Sequence, residues 1–66
     1  MDTVALKKRR CSKGFFTQAA MARAIEMAPT NYGNRENGKI KFKAAEIQKL
    51  CEKLDWTLEE GLKYLS

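Results

Sequence analysis

Few side chains in this chain could make or break a covalent bond. Cys11 and Cys51 are the only cysteines, and there is no histidine to serve as a base. No nucleophile–base pair and no glycine-rich phosphate loop is visible, so an enzyme is not expected. Two cysteines without histidine, and without a C-x-x-C pair, cannot complete a four-ligand zinc site. No metal, cofactor or small-molecule ligand is expected. A disulfide is possible on paper, but two small apolar side chains in a reduced cytosolic protein fit better. What remains is non-covalent chemistry, and its dominant ingredient is positive charge. The net charge is +5, and it is segregated. Residues 1–43 hold ten Lys/Arg against three acids, Asp2, Glu26 and Glu36, a net of +7. Residues 44–66 hold three lysines against five acids, a net of −2. A polyanion should therefore meet the N-terminal two-thirds.

The elements that position this charge fit one small domain over residues 1–66. A core of this size is marginal, so nearly every large apolar side chain should be needed for folding, with little room for an enclosed pocket. A composition 44% hydrophobic and 32% charged is globular. No apolar run approaches the roughly 20 residues of a membrane span. The start, MDTVALKKRR, has no long apolar segment behind its charges, so it does not read as a secretory signal. A cytoplasmic, nucleoid-associated location is the expectation.

The periodicity predicts about five helices and no strand. The first runs from Thr3 to Ser12, capped by Asp2 or Thr3 and followed by Gly14, with Leu6 and also Val4 and Cys11 as inward candidates. Phe15 or Phe16 should plug the core from the connection. The second covers about Thr17–Met27, with Thr17 as N-cap and Ala20, Met21, Ala24 and Ile25 on one stripe. The third starts at Pro29, where a missing N–H does no harm, turns Tyr32 inward and stops at Asn37-Gly38. Two short helices joined by a tight turn form a helix-turn-helix, whose second helix can enter the major groove of DNA. Residues 39–43 alternate apolar and basic. A strand is one reading, and an extended connection pinning Ile40 or Phe42 is the other. The fourth helix, Ala44–Leu54, turns Ile47, Leu50, Cys51 and Leu54 to one face. Asp55 turns the chain with Trp56 inserted. Thr57 to Glu60 fits a capping box opening a fifth helix to about Leu65, with Leu58, Leu62 and Leu65 inward. Gly61 should cost that helix about 1 kcal/mol relative to alanine.

Leu6, Arg10 and Gly14 match a Leu-x-x-x-Arg-x-x-x-Gly first helix. Thr17-Gln18, Met21-Ala22, Ile25 and Glu36-Asn37-Gly38 follow in order, and Leu54 to Glu60 fits the last helix–helix junction. In these features the chain resembles the phage repressor and Cro-like (XRE-type) family of DNA-binding domains, from about Leu6 to Leu65. The resemblance implies an all-α, five-helix lambda-repressor-like fold with the helix-turn-helix at about residues 17–38. Three positions depart from the family pattern. Phe15-Phe16 lengthens the loop before helix two, Glu26 stands in the turn where glycine is preferred, and Arg35 occupies a commonly apolar position.

The resemblance also implies site residues. Pro29, Thr30, Asn31, Gly33 and Asn34 would approach base edges, with Asn34 the best direct reader, since an amide can bond adenine N6 and N7 together. Gln18 would bond a phosphate and brace the recognition helix. Asn37 and Gly38, through their backbone amides, and Lys39 and Lys41 would grip flanking phosphates. Arg35 would lay its stem over the core edge and send its guanidinium outward, as a further DNA-binding residue. Arg10 would pair with Glu36 rather than meet DNA, and Lys7, Lys8 and Arg9 would supply long-range field or contacts at the edge of the site.

The function implied is sequence-specific binding of double-stranded DNA by a small transcriptional regulator, Cro-like and of phage or prophage type, without a ligand-sensing domain. One recognition helix reads few base pairs, so a homodimer on a two-fold site is expected, at least on DNA. The segment holding Trp56, Tyr64 and Leu65 is the candidate dimer surface. An antitoxin-like or anti-repressor module that uses the same fold to hold a protein is the alternative.

Overall fold

The computed structural model describes residues 1–66 and contains five helices and no strand. They are α1 (Thr3–Ser12), α2 (Gln18–Ala24), α3 (Pro29–Glu36), α4 (Ala44–Leu54) and α5 (Leu58–Leu65). The local chemistry explains each boundary. The Asp2 carboxylate accepts from Ala5 N at 3.0 Å and opens α1, and Gly14, at φ +89°, follows its end. Thr17 Oγ1 accepts from Ala20 N at 3.0 Å and opens α2. Thr57 and Glu60 form the capping box of α5, each side chain bonded to the other's backbone N–H. At the start of α4, Glu46 Oε1 reaches back to Lys43 N at 2.8 Å.

α2 stops at Ala24, short of the expected Met27, and Glu26 is the reason. Its φ of +59° lies in the left-handed region. Glu26 N then donates to Arg23 O at 3.1 Å and Met27 N to Ala22 O at 2.8 Å, the two bonds of a Schellman closure. A side-chain-bearing residue in this conformation is strained by about 1–2 kcal/mol, and Glu26 makes no side-chain hydrogen bond or ion pair that would be lost on replacement. Glu26→Gly should therefore stabilise the fold by about 0.5–1 kcal/mol once the added chain entropy is counted. Urea denaturation checks it, and an unchanged midpoint would mean that the turn is not held in this geometry.

One core joins all five helices. Leu6, Met21, Ala22, Ile25, Tyr32, Phe42, Ile47, Leu50, Cys51, Leu54 and Leu65 are buried together, with Phe15, Ala24, Met27, Trp56 and Tyr64 packed at its edge. All four residues of the α4 stripe are buried, and residues 39–43 form a connection, not a strand, that pins Phe42 rather than Ile40. Several inward candidates face solvent. Val4 and Cys11 are exposed on α1, because Arg10 takes the buried position beside Leu6. Phe15 reaches the core and Phe16 does not. On α5 only Leu65 and Gly61 are buried, whereas Leu58 is 51% and Leu62 47% exposed. Burial of Leu65 at 2% exposure also removes it from the candidate dimer surface. Both cysteines are free, Cys11 exposed and Cys51 buried.

Gly61 is where α5 meets α4. A Cβ there would overlap the Cys51 sulfur and stand 3.3 Å from Ile47 Cγ2. The glycine therefore sets the approach of the two helices rather than merely weakening one of them. Arg9 does comparable work at the other end of α4. Its Nε donates to Leu54 O at 2.7 Å and its Nη2 to Asp55 O at 3.0 Å, satisfying carbonyls that the helix leaves open. Arg9 thus fastens α1 to the end of α4, while its charge, opposed by no carboxylate within ion-pair distance, still adds to the positive field.

Candidate nucleic-acid interface

α3 has an inner face that is locked and an outer face that is free. Tyr32, Gly33 and Glu36 are buried, and Glu36 is fully so. A bare carboxylate in that position would be very unfavourable, and it persists because every lone pair in use has a donor. Arg10 Nε donates to Glu36 Oε1 at 2.8 Å, the Tyr32 hydroxyl donates to the same oxygen at 2.8 Å, and Gln18 Nε2 donates to Oε2 at 2.6 Å. Arg10 Nη1 continues to Phe15 O at 2.7 Å, which ties the α1–α2 connection to the same cluster. Burial first, then the bond to Glu36, holds the Tyr32 phenol protonated far above its ordinary range. Its contribution to stability is therefore complete below the ordinary tyrosine value and declines as alkaline pH begins to ionise the unfolded chain.

The Arg10–Glu36 ion pair is thus present as expected. Gln18 also braces α3, with Nε2 on Glu36 and, at 3.3 Å, on Asn37 Oδ1. Gly33 lies beneath this side chain. A Cβ at Gly33 would meet Gln18 Oε1 at 3.0 Å, so the buried glycine lets α2 close on α3, and it does not form part of an outer reading face. Arg35 departs from expectation too. Its Nε bonds Glu46 Oε1 at 2.9 Å and its Nη1 bonds Asn31 O at 3.0 Å, so the guanidinium turns back to fasten α3 to α4. The acidic partner at Glu46, eleven residues away, was the signal for this and carries no local pattern.

Pro29, Thr30 and Asn31 are exposed and Asn34 is half-exposed, and no hydrogen bond within the chain occupies the Thr30, Asn31 or Asn34 side chains. Ala28 gives α3 no side-chain cap, Pro29 has no N–H and Tyr32 N bonds Ala28 O at 3.0 Å, so the open first-turn donors are Thr30 N and Asn31 N, which favour an anion. At the other end, Gly38 N donates to Arg35 O at 3.0 Å and Lys39 N to Asn34 O at 2.9 Å. This second Schellman closure, with Gly38 at φ +83°, turns Lys39, Ile40 and Lys41 back across the helix end. Asn37, Gly38, Lys39 and Lys41 are all exposed, and neither lysine has an acidic partner within ion-pair distance. Free hydrogen-bonding groups on one helix face, flanked by unpaired cations, can bind a polyanion and read polar edges on it.

A helix-turn-helix family model matches residues 6–60, spanning all of α2, the turn and α3. The chain belongs to the XRE-type helix-turn-helix family of DNA-binding regulators. No curated protein and no solved structure matches it. In this helix-turn-helix, Glu26 occupies the turn and α2 braces α3 through Gln18. No helix is long and apolar enough to cross a membrane, and no cluster of His, Cys, Asp and Glu could hold a metal ion.

Proposed function

We propose that this protein is a Cro- or repressor-like regulator of phage or prophage type that reads double-stranded DNA in the major groove with α3. The observation that carries the reading is the division of α3 into a face fixed by the Glu36 cluster and a face of unoccupied polar groups beside Lys39 and Lys41. A rigid scaffold under free donors is what base readout needs, because donors held in place lose little freedom on binding. Asn34 bonds a base edge, adenine for preference, while Thr30 and Asn31 reach a second base or a thymine methyl. Lys39, Lys41 and the amides of Asn37 and Gly38 hold phosphate, and Pro29 packs against the groove wall. With its Nε2 on Glu36 and Asn37, Gln18 meets phosphate through its backbone N–H, because its Oε1 is itself an acceptor. Arg35 acts by fastening α3 to α4.

One helix offering so few readers needs a second half-site. The protein acts as a homodimer on DNA, with exposed Leu58 and Leu62 of α5, one helical turn apart, as its apolar contact. Selection of sites from random duplexes should return a two-fold symmetric sequence with half-sites about 34 Å apart or a multiple of that. On the selected site, Asn34→Ala should lose about tenfold in affinity and relax discrimination at one base pair. Lys39→Ala should weaken all duplexes alike and reduce the salt dependence by about one phosphate contact. Discrimination that survives Asn34→Ala would reassign the reading face.

A further inference from the structure

Phe16 is the most exposed large apolar side chain in the molecule, at 75%. Its backbone is held in place on both sides. On one side, Phe15 packs at the core edge and its carbonyl accepts from Arg10 Nη1 at 2.7 Å. On the other, Thr17 is fixed as the N-cap of α2 by its bond to Ala20 N. The ring is therefore presented from a rigid corner. That corner stands beside the end of α3, because Gln18 touches Asn37 at 3.3 Å and Arg10 joins Phe15 to Glu36. Phe16 thus lies at the same end of the helix pair as the exposed cluster of Asn37, Gly38 and Lys39.

We infer that Phe16 is a DNA-contacting residue, packing its ring against the deoxyribose of the strand whose phosphate is held at the α2–α3 corner. The inference rests on the proposed duplex binding. Between phosphates, the backbone offers the apolar C–H face of each sugar, which lysines and amides do not use and an aromatic ring does. Such a contact removes apolar surface of both partners from water. It is indifferent to base sequence and carries no charge.

The test compares wild-type protein with Phe16→Ala and Phe16→Leu on a dumbbell duplex, which has no open ends for a ring to stack on. Phe16→Ala should bind roughly five- to tenfold more weakly, on selected and random sequences alike, and Phe16→Leu should retain most of the affinity. The slope of log affinity against log salt should be that of wild type, since no phosphate contact is lost. The melting temperature should change by no more than about 3 °C, because the side chain is exposed. Equal binding by wild type and Phe16→Ala would overturn the inference while leaving duplex binding intact. A loss confined to one sequence, or a changed salt slope, would overturn it by assigning Phe16 to base reading or to phosphate positioning. Failure of wild type to bind any duplex would overturn both readings together.

Discussion

Replacing Arg10 by methionine should cost about 3–5 kcal/mol of folding free energy. The stem of the side chain is kept, so packing beside Leu6 changes little. What is lost is the cation opposite Glu36, whose carboxylate is fully buried. Tyr32 and Gln18 still donate to it, but neither neutralises it. A domain of this length has only about 3–10 kcal/mol of stability in total, so Arg10→Met should be largely unfolded at 37 °C. Urea denaturation at 25 °C measures the loss. The double variant Arg10→Met with Glu36→Leu should recover part of it, since the stranded charge is gone, yet not all, because Tyr32 and Gln18 then lose their acceptor. A loss below about 1 kcal/mol for Arg10→Met would mean that water reaches the carboxylate. Refolded Arg10→Met under stabilising conditions should bind DNA more weakly than wild type although Arg10 touches no ligand, because the bonds to Glu36 and Phe15 that hold α3 and the α1–α2 corner in place are lost.

Gly61→Ala should destabilise by about 2–3 kcal/mol, although helix propensity alone predicts a gain near 1 kcal/mol. The sign reverses because the new methyl would occupy the space of the Cys51 sulfur and crowd Ile47, and both lie in the core. Either α5 moves away from α4 or Cys51 leaves its position. Thermal unfolding monitored by circular dichroism reports the change, with a fall of roughly 8 °C or more for a domain of this size. The companion variant Gly61→Ala/Cys51→Ala makes room for the methyl and should be more stable than the sum of the two single changes. A rise in melting temperature for Gly61→Ala alone would show that the two helices do not approach as closely as described.

Gly61 also marks where reasoning from sequence reaches its range. Its helix, its N-cap at Thr57 and its capping partner Glu60 are local features, written within a few residues, and all are present in the fold. Its contact with Cys51 joins two helices and has no local signature. The same division holds elsewhere. The stripe Ile47, Leu50, Cys51 and Leu54, the start of α3 at Pro29 and the Arg10–Glu36 pair were legible from periodicity, from proline's chemistry and from the family resemblance. Arg9 on the end of α4, and Arg35 on Glu46, were not legible, because an arginine stem can reach many partners and only packing selects one. Leu58 and Leu62 fit a helical stripe, yet a helix this short at the edge of the core buries a narrower band than its pattern suggests. At the candidate interface, Thr30, Asn31, Lys39 and Lys41 lie exposed where the resemblance puts them, whereas Gly33 and Arg35 serve the scaffold.

In the proposed complex the outer face of α3 meets the duplex. Backbone amide shifts of the labelled protein, followed by NMR during titration with the selected operator duplex, test it most directly. The largest changes should fall on Thr30, Asn31, Asn34 and the turn from Asn37 to Lys41, with smaller ones at Thr17 and Gln18 and little change along the outward face of α4. Changes concentrated on α4 and α5 with α3 silent, under conditions where the duplex is bound, would contradict it.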